Sequence, residues 1–155
     1  MRFACAFASL WCLAAAACGG RPSGVSDVLA ETRAAPPPYV ILLQRQVSPP
    51  GDPRLRYEKI VQVDTRLGRD QLLAVVRAAE AEAYRQFPRL SALLLRVVLR
   101  EDGTAATLAV AVSSADGLGW TGDGRFGAIE DRGRIEVDVS EGGQVAHYSL
   151  PRQGP

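Results

Sequence analysis

From Tyr39 onward, the hydrophobic positions change period several times, and each change marks an element. Tyr39 to Val47 is an apolar, β-rich run that stops at a turn containing Pro49, Pro50, Gly51 and Pro53. Tyr57 to Thr65 alternates, with Tyr57, Lys59, Val61 and Val63 on one face and Glu58, Ile60, Gln62 and Asp64 on the other. Alternation of period two belongs to a strand whose faces meet different surroundings. Two strands with a Pro-rich connection are expected here.

Between Gly68 and Phe87 the period becomes helical. Leu72, Val75, Val76, Ala79, Ala83 and Phe87 form one apolar stripe, and Pro88 ends it. Asp70 suits the positive end of the helix dipole. Glu82 and Arg85 are spaced to pair with each other, and the remaining charges read as a solvated face.

Strand patterns then resume. Leu93, Leu95, Val97 and Leu99 share one side of a strand running to Arg100, with Leu94, Arg96, Val98 and Arg100 opposite. Asp102-Gly103 is a hairpin signal, because both turn positions need a positive φ. The return strand spans about Ala105 to Ser113, with Ala106, Leu108, Val110 and Val112 expected on one face. A Gly-rich loop runs from Ala115 to about Arg132. Arg134 to Ser140 alternates through Ile135, Val137 and Val139, and Glu141-Gly142-Gly143 turns the chain into Gln144 to Leu150. The expected fold is α+β, ordered β-β-α-β-β-loop-β-β, with one helix packed on a mainly antiparallel sheet.

The chain before Tyr39 has another character. Residues 19–38 are rich in Gly, Pro, Ser and Ala and end in Pro36-Pro37-Pro38. Too little apolar surface is present to offset ordering, so this segment reads as a flexible tether with a stiff end. Arg2 is the only charge before Arg21, and Phe3 to Ala17 is apolar or small. A basic start, a short apolar stretch and a run of small residues is the layout of a secretory signal peptide. The stretch is short for a permanent membrane span, which takes about 20 apolar residues.

Leu13-Ala14-Ala15-Ala16-Ala17-Cys18-Gly19 resembles the lipobox of bacterial lipoproteins, with Ala15 standing where leucine is commonest. The resemblance implies cleavage after Ala17, lipid on Cys18, and attachment of the chain to a membrane. Gly19 after the cysteine resembles lipoproteins sorted to the outer membrane, facing the periplasm. Ordinary signal peptidase cleavage, giving a secreted or periplasmic soluble protein, is the alternative. The expected divisions are a signal peptide over 1–17, an anchor and tether over 18–38, and a single domain over 39–151. Within that domain, Tyr57–Ser113 loosely resembles a β-α-β-β core of small uncharacterised bacterial domains. No activity comes with that resemblance.

Composition narrows the function classes. The 155 residues carry 18 basic and 17 acidic side chains; losing Arg2 with residues 1–17 makes the counts equal. Such balance argues against a general nucleic-acid binder, which needs surplus cations to displace counterions. The three cysteines, Cys5, Cys12 and Cys18, all lie in the first 18 residues, so the mature domain has no thiol. Zinc normally wants several nitrogen or sulfur ligands, and His147 is the only histidine. No metal, cofactor or catalytic residue set is expected.

The residues left with possible chemistry are few. Gly122 to Gly127 fits G-x-G-x-x-G, but it lacks the strand-to-helix context that a dinucleotide site needs. Trp120, Arg125 and Phe126 lie in the same loop and are candidates for ligand binding, Trp and Arg being enriched at binding hot spots; a lid over the core is the simpler use of the aromatics. Glu136 and Asp138 share one strand face, which reads as a wet face. Three functions compete: a non-catalytic envelope domain binding a protein, peptide or glycan through a sheet edge or the Gly-rich loop; an envelope hydrolase using His147 with a nearby carboxylate or serine; and a structural spacer.

Overall fold

The computed structural model describes residues 35–101, 104–120 and 133–152. Its elements run β1 (Val40–Gln46), β2 (Leu55–Val63), α1 (Arg69–Gln86), β3 (Leu90–Glu101), β4 (Thr104–Ser114), β5 (Arg134–Glu141) and β6 (Gln144–Pro151). Among the described residues the architecture is α+β: one helix on a six-stranded mixed sheet whose spatial order equals its chain order. Four neighbouring pairs are antiparallel and β2/β3 is parallel. The parallel pair follows from α1, which returns the chain to the end of the sheet where β2 began.

The helix begins where Gly68 N–H donates to Gln71 Oε1 at 3.1 Å. Asp70 lies in its first turn and Arg85 in its last. At the other end, Phe87 N–H donates to the Ala83 carbonyl at 2.9 Å, and Pro88 prevents continuation. Phe87 rests on Tyr57 with ring centroids 4.3 Å apart, fastening the helix end to β2.

The apolar stripe of α1 packs across β3, β4 and β5. It joins one core with Val61 and Val63 of β2, Leu93, Leu95, Val97 and Leu99 of β3, Ile135, Val137 and Val139 of β5, and Leu150 of β6. The opposite sheet face carries a smaller cluster, Leu94 and Val112 with Val110 and Trp120 against them.

Three expectations fail in instructive ways. Ala106, Leu108, Val110 and Val112 do not share a face. Val97 pairs with Ala109 and Val98 with Thr107, so Leu108 is an extra residue in a β-bulge. The bulge resets the alternation, sending Leu108, Ala109 and Ala111 to the helix side and Val110 and Val112 to the other.

The helix charges are not all solvated. Arg77 and Glu80 are 7% and 2% exposed. They stand on the flank of the stripe, where a wide sheet reaches past a single helix, and Glu80 finds its counterion in Arg152, just beyond β6. Nor does Glu82 turn to Arg85: its carboxylate receives Lys59 Nζ at 2.7 Å and Tyr39 OH at 3.2 Å. Lys59, wholly buried on the core face of β2, is completed by the Ala79 carbonyl at 3.2 Å. A buried ammonium without such partners would be strongly disfavoured.

Candidate functional site

Of the proposed binding residues, only Trp120 can be placed. Arg125, Phe126, the Gly122–Gly127 motif and Cys18 lie outside the described residues. Trp120 sits on the sheet face opposite α1, half-buried against Leu94, Val110 and Val112. Its position is set by the turn after β4. Asp116 Oδ1 accepts from Ser114 Oγ at 2.7 Å and from Leu118 N–H at 3.0 Å. Arg54, from the β1–β2 connection, reaches Asp116 through Nε at 2.6 Å and Nη2 at 2.9 Å, and donates to the Gly119 carbonyl at 2.7 Å. Burial works against the Asp116 charge, but the bonds from Arg54, Ser114 and Leu118 outweigh it and hold its pKa below the usual range. Arg54 carried no sequence signal, because its partners lie more than 60 residues away.

A second group of polar side chains occupies the same face at the β5–β6 end. The Gly142-Gly143 turn, with φ of +56° and +85°, fixes a register in which Asp138 stands opposite His147 and Glu136 opposite Ser149. His147 Nδ1 is 2.8 Å from Asp138 Oδ1, and Nε2 is 3.0 Å from Glu136 Oε2. Ser149 Oγ donates to Glu136 Oε1 at 2.6 Å, and Arg134 Nε donates to that hydroxyl at 2.6 Å. The bond to Asp138 does most to raise the His147 pKa; partial burial opposes it, and the bond to Glu136 adds to the rise.

That arrangement bears on catalysis. A histidine acting as base for a serine needs a free ring nitrogen directed at the hydroxyl. Both nitrogens of His147 instead face carboxylates, Ser149 donates to Glu136, and the imidazole is 61% exposed. Among the described residues no group of three or more His, Cys, Asp or Glu side chains could hold a metal ion.

The third feature is the β1 edge. β1 pairs with β2 along one side, and no described strand pairs with the other. Val40, Ile41 and Leu42 are 56%, 38% and 50% exposed, a contiguous apolar run at the start of that edge. Leu42 is the extra residue where the register shifts between Ile41 and Leu43. Across the same sheet face Glu58 bridges Arg45 at 2.7 Å and Arg96 at 2.9 Å.

No protein-family model and no curated protein matches the chain. Among solved structures it is similar to the crystal structure of a DUF487 family protein from Desulfovibrio piger ATCC 29098, with 21% identity and a TM-score of 0.43. The matched region covers 58% of each chain, so this chain spans little more than half of that protein. No described helix is long and apolar enough to cross a membrane.

Proposed function

We propose that the protein is a bacterial lipoprotein, anchored through Cys18 in the outer membrane and facing the periplasm, whose domain binds an envelope protein or peptide without catalysing a reaction. The lipobox-like run from Leu13 to Gly19 supports the anchor, and the Gly/Pro-rich stretch after it supplies a tether. Several acyl chains, at about 0.8 kcal/mol for each buried CH₂, make such attachment stable.

The observation that carries the binding reading is the β1 edge. An unpaired strand offers backbone N–H and C=O groups to an added strand, and exposed apolar side chains along it add contact area. Val40, Ile41 and Leu42 supply those side chains where the chain enters the domain. Within the hydrolase reading, the carboxylates on both nitrogens of His147 leave neither one directed at a serine hydroxyl.

A photo-crosslinking residue placed at Leu42 in cells tests the binding reading, with Arg85 on the helix as control. The reading predicts one discrete adduct from position 42, absent from position 85 and lost when Ile41 is also changed to Glu. Equal capture from both positions, or no adduct from Leu42, would contradict it.

A further inference from the structure

His147 is the chain's only histidine, and both of its ring nitrogens face carboxylates on β5. A carboxylate ion can only accept hydrogen bonds, whereas a neutral imidazole has one N–H to give. The 2.8 Å contact with Asp138 and the 3.0 Å contact with Glu136 are therefore both hydrogen bonds only when the ring is imidazolium. Glu136 is held from its other side by Ser149, which Arg134 fixes through Oγ at 2.6 Å and through the carbonyl at 2.7 Å.

We propose that His147 is a proton-operated clamp on the β5–β6 hairpin: the imidazolium bridges Asp138 and Glu136 and fastens β6, and loss of the proton releases one bond. The location gives the clamp leverage. β6 is the outermost strand and its backbone ladder is only with β5 among the described residues, so apart from Leu150 in the core and Arg152 on Glu80 it is held by that single ladder and by side chains spanning it.

The charged groups facing the ring among the described residues are Asp138 and Glu136 from β5, with Arg134 behind Ser149. On β4 the residues beside Asp138 and Glu136 are Val110 and Val112, which add no charge. On β6 itself, Val145 and Ser149 flank His147 on that face. The raised pKa of His147 agrees with this surrounding. A histidine whose folded pKa is raised contributes fully below its unfolded value of about 6.5 and loses the contribution as pH rises through the folded value. β6 thus loosens on the alkaline side.

Because the chain has one histidine, ring nitrogen NMR of the full chain from about pH 5 to about pH 9 reads this site alone. We expect both nitrogens to remain protonated above the ordinary histidine pKa, and Asp138→Asn to lower the midpoint more than Glu136→Gln. Hydrogen exchange supplies the mechanical readout. Protection of β6 amides relative to β1 amides should fall a few-fold through the same midpoint, and the ratio should be flat in His147→Gln. An ordinary or lowered midpoint, a ratio that ignores the titration, or the same pH course in His147→Gln would overturn the proposal. Asp138→Asn, at a half-exposed position, serves as the second variant and should shift the exchange midpoint with the NMR midpoint.

Discussion

Lys59 lies wholly buried on the sheet with its ammonium 2.7 Å from the Glu82 carboxylate on α1, joining the two layers through an ion pair at the margin of the core. The pair fixes the helix over β2, while Tyr39 closes on the same carboxylate from the start of the domain. Breaking such a pair costs most when the charge left behind stays out of water: Glu82→Ala strands the wholly buried ammonium, whereas Lys59→Met leaves a carboxylate that is 23% exposed. Glu82→Ala is therefore expected to cost about 3–5 kcal/mol, and Lys59→Met clearly less. Urea unfolding of the two variants checks the order; equal losses, or the reverse, would contradict it.

The same pair predicts an acid limb. The bond from Lys59, with Tyr39 and the nearby Arg85 helping against burial, holds the Glu82 pKa below its ordinary 4.5. A carboxylate with a depressed folded pKa contributes above its unfolded value and loses that contribution as pH falls through the folded one. Wild-type stability should thus decline below about pH 4.5 more steeply than that of Glu82→Gln. Parallel decline in thermal melts across that range would assign the acid limb elsewhere.

Arg152 closes the opposite flank of α1. Its Nε donates to Glu80 Oε1 at 2.8 Å, its guanidinium lies 3.9 Å from the Tyr84 ring centroid, and its backbone N–H donates to the Gly133 carbonyl at 2.6 Å. Burial pushes the Glu80 pKa up even against Arg152, so ionised Glu80 is a costly group that depends on its counterion. Arg152→Ala should cost about 3–5 kcal/mol. Glu80→Gln keeps an acceptor without the charge and should cost less; thermal melts at neutral pH compare the two.

Arg54 sets the seat of Trp120 through Asp116 and Gly119. Arg54→Ala leaves the Asp116 carboxylate without its cation and frees the turn. With Trp11 changed to Phe, Trp120 is the only tryptophan, so emission reports its seat directly. A red shift in Arg54→Ala, with the unfolding midpoint little changed, is expected; unchanged emission would show that Leu94, Val110 and Val112 suffice to hold the indole.

Much of this frame was legible in the residue pattern. Tyr57, Lys59, Val61 and Val63 alternate, and that alternation puts Lys59 on the core face despite its charge. The stripe from Leu72 to Ala83 marks the helix, and the two glycines after Glu141 mark the last hairpin. Periodicity is a local signal, however, and what it missed depends on distant partners. Glu80 looks solvated until Arg152, 72 residues on, is placed against it. Leu108 breaks its strand's alternation because a bulge inserts one residue, and no composition signal marks that position.

The candidate site was legible in pieces rather than as an assembly. Glu136 and Asp138 read as a wet strand face, and His147 as the chain's lone histidine. A two-residue turn at Gly142-Gly143 already fixes which of them stand opposite one another. Arg134 and Arg54 belong to no motif, and each acts through contacts made only in the folded sheet.

Lipid attachment at Cys18 decides most directly whether this domain works at a membrane surface. Radiolabelled palmitate fed to cells making the full chain should enter the wild-type protein and fractionate with the outer membrane. Cys18→Ala should take up no label and leave that fraction. Equal labelling of the two chains, or an unlabelled wild type, would contradict the anchored reading.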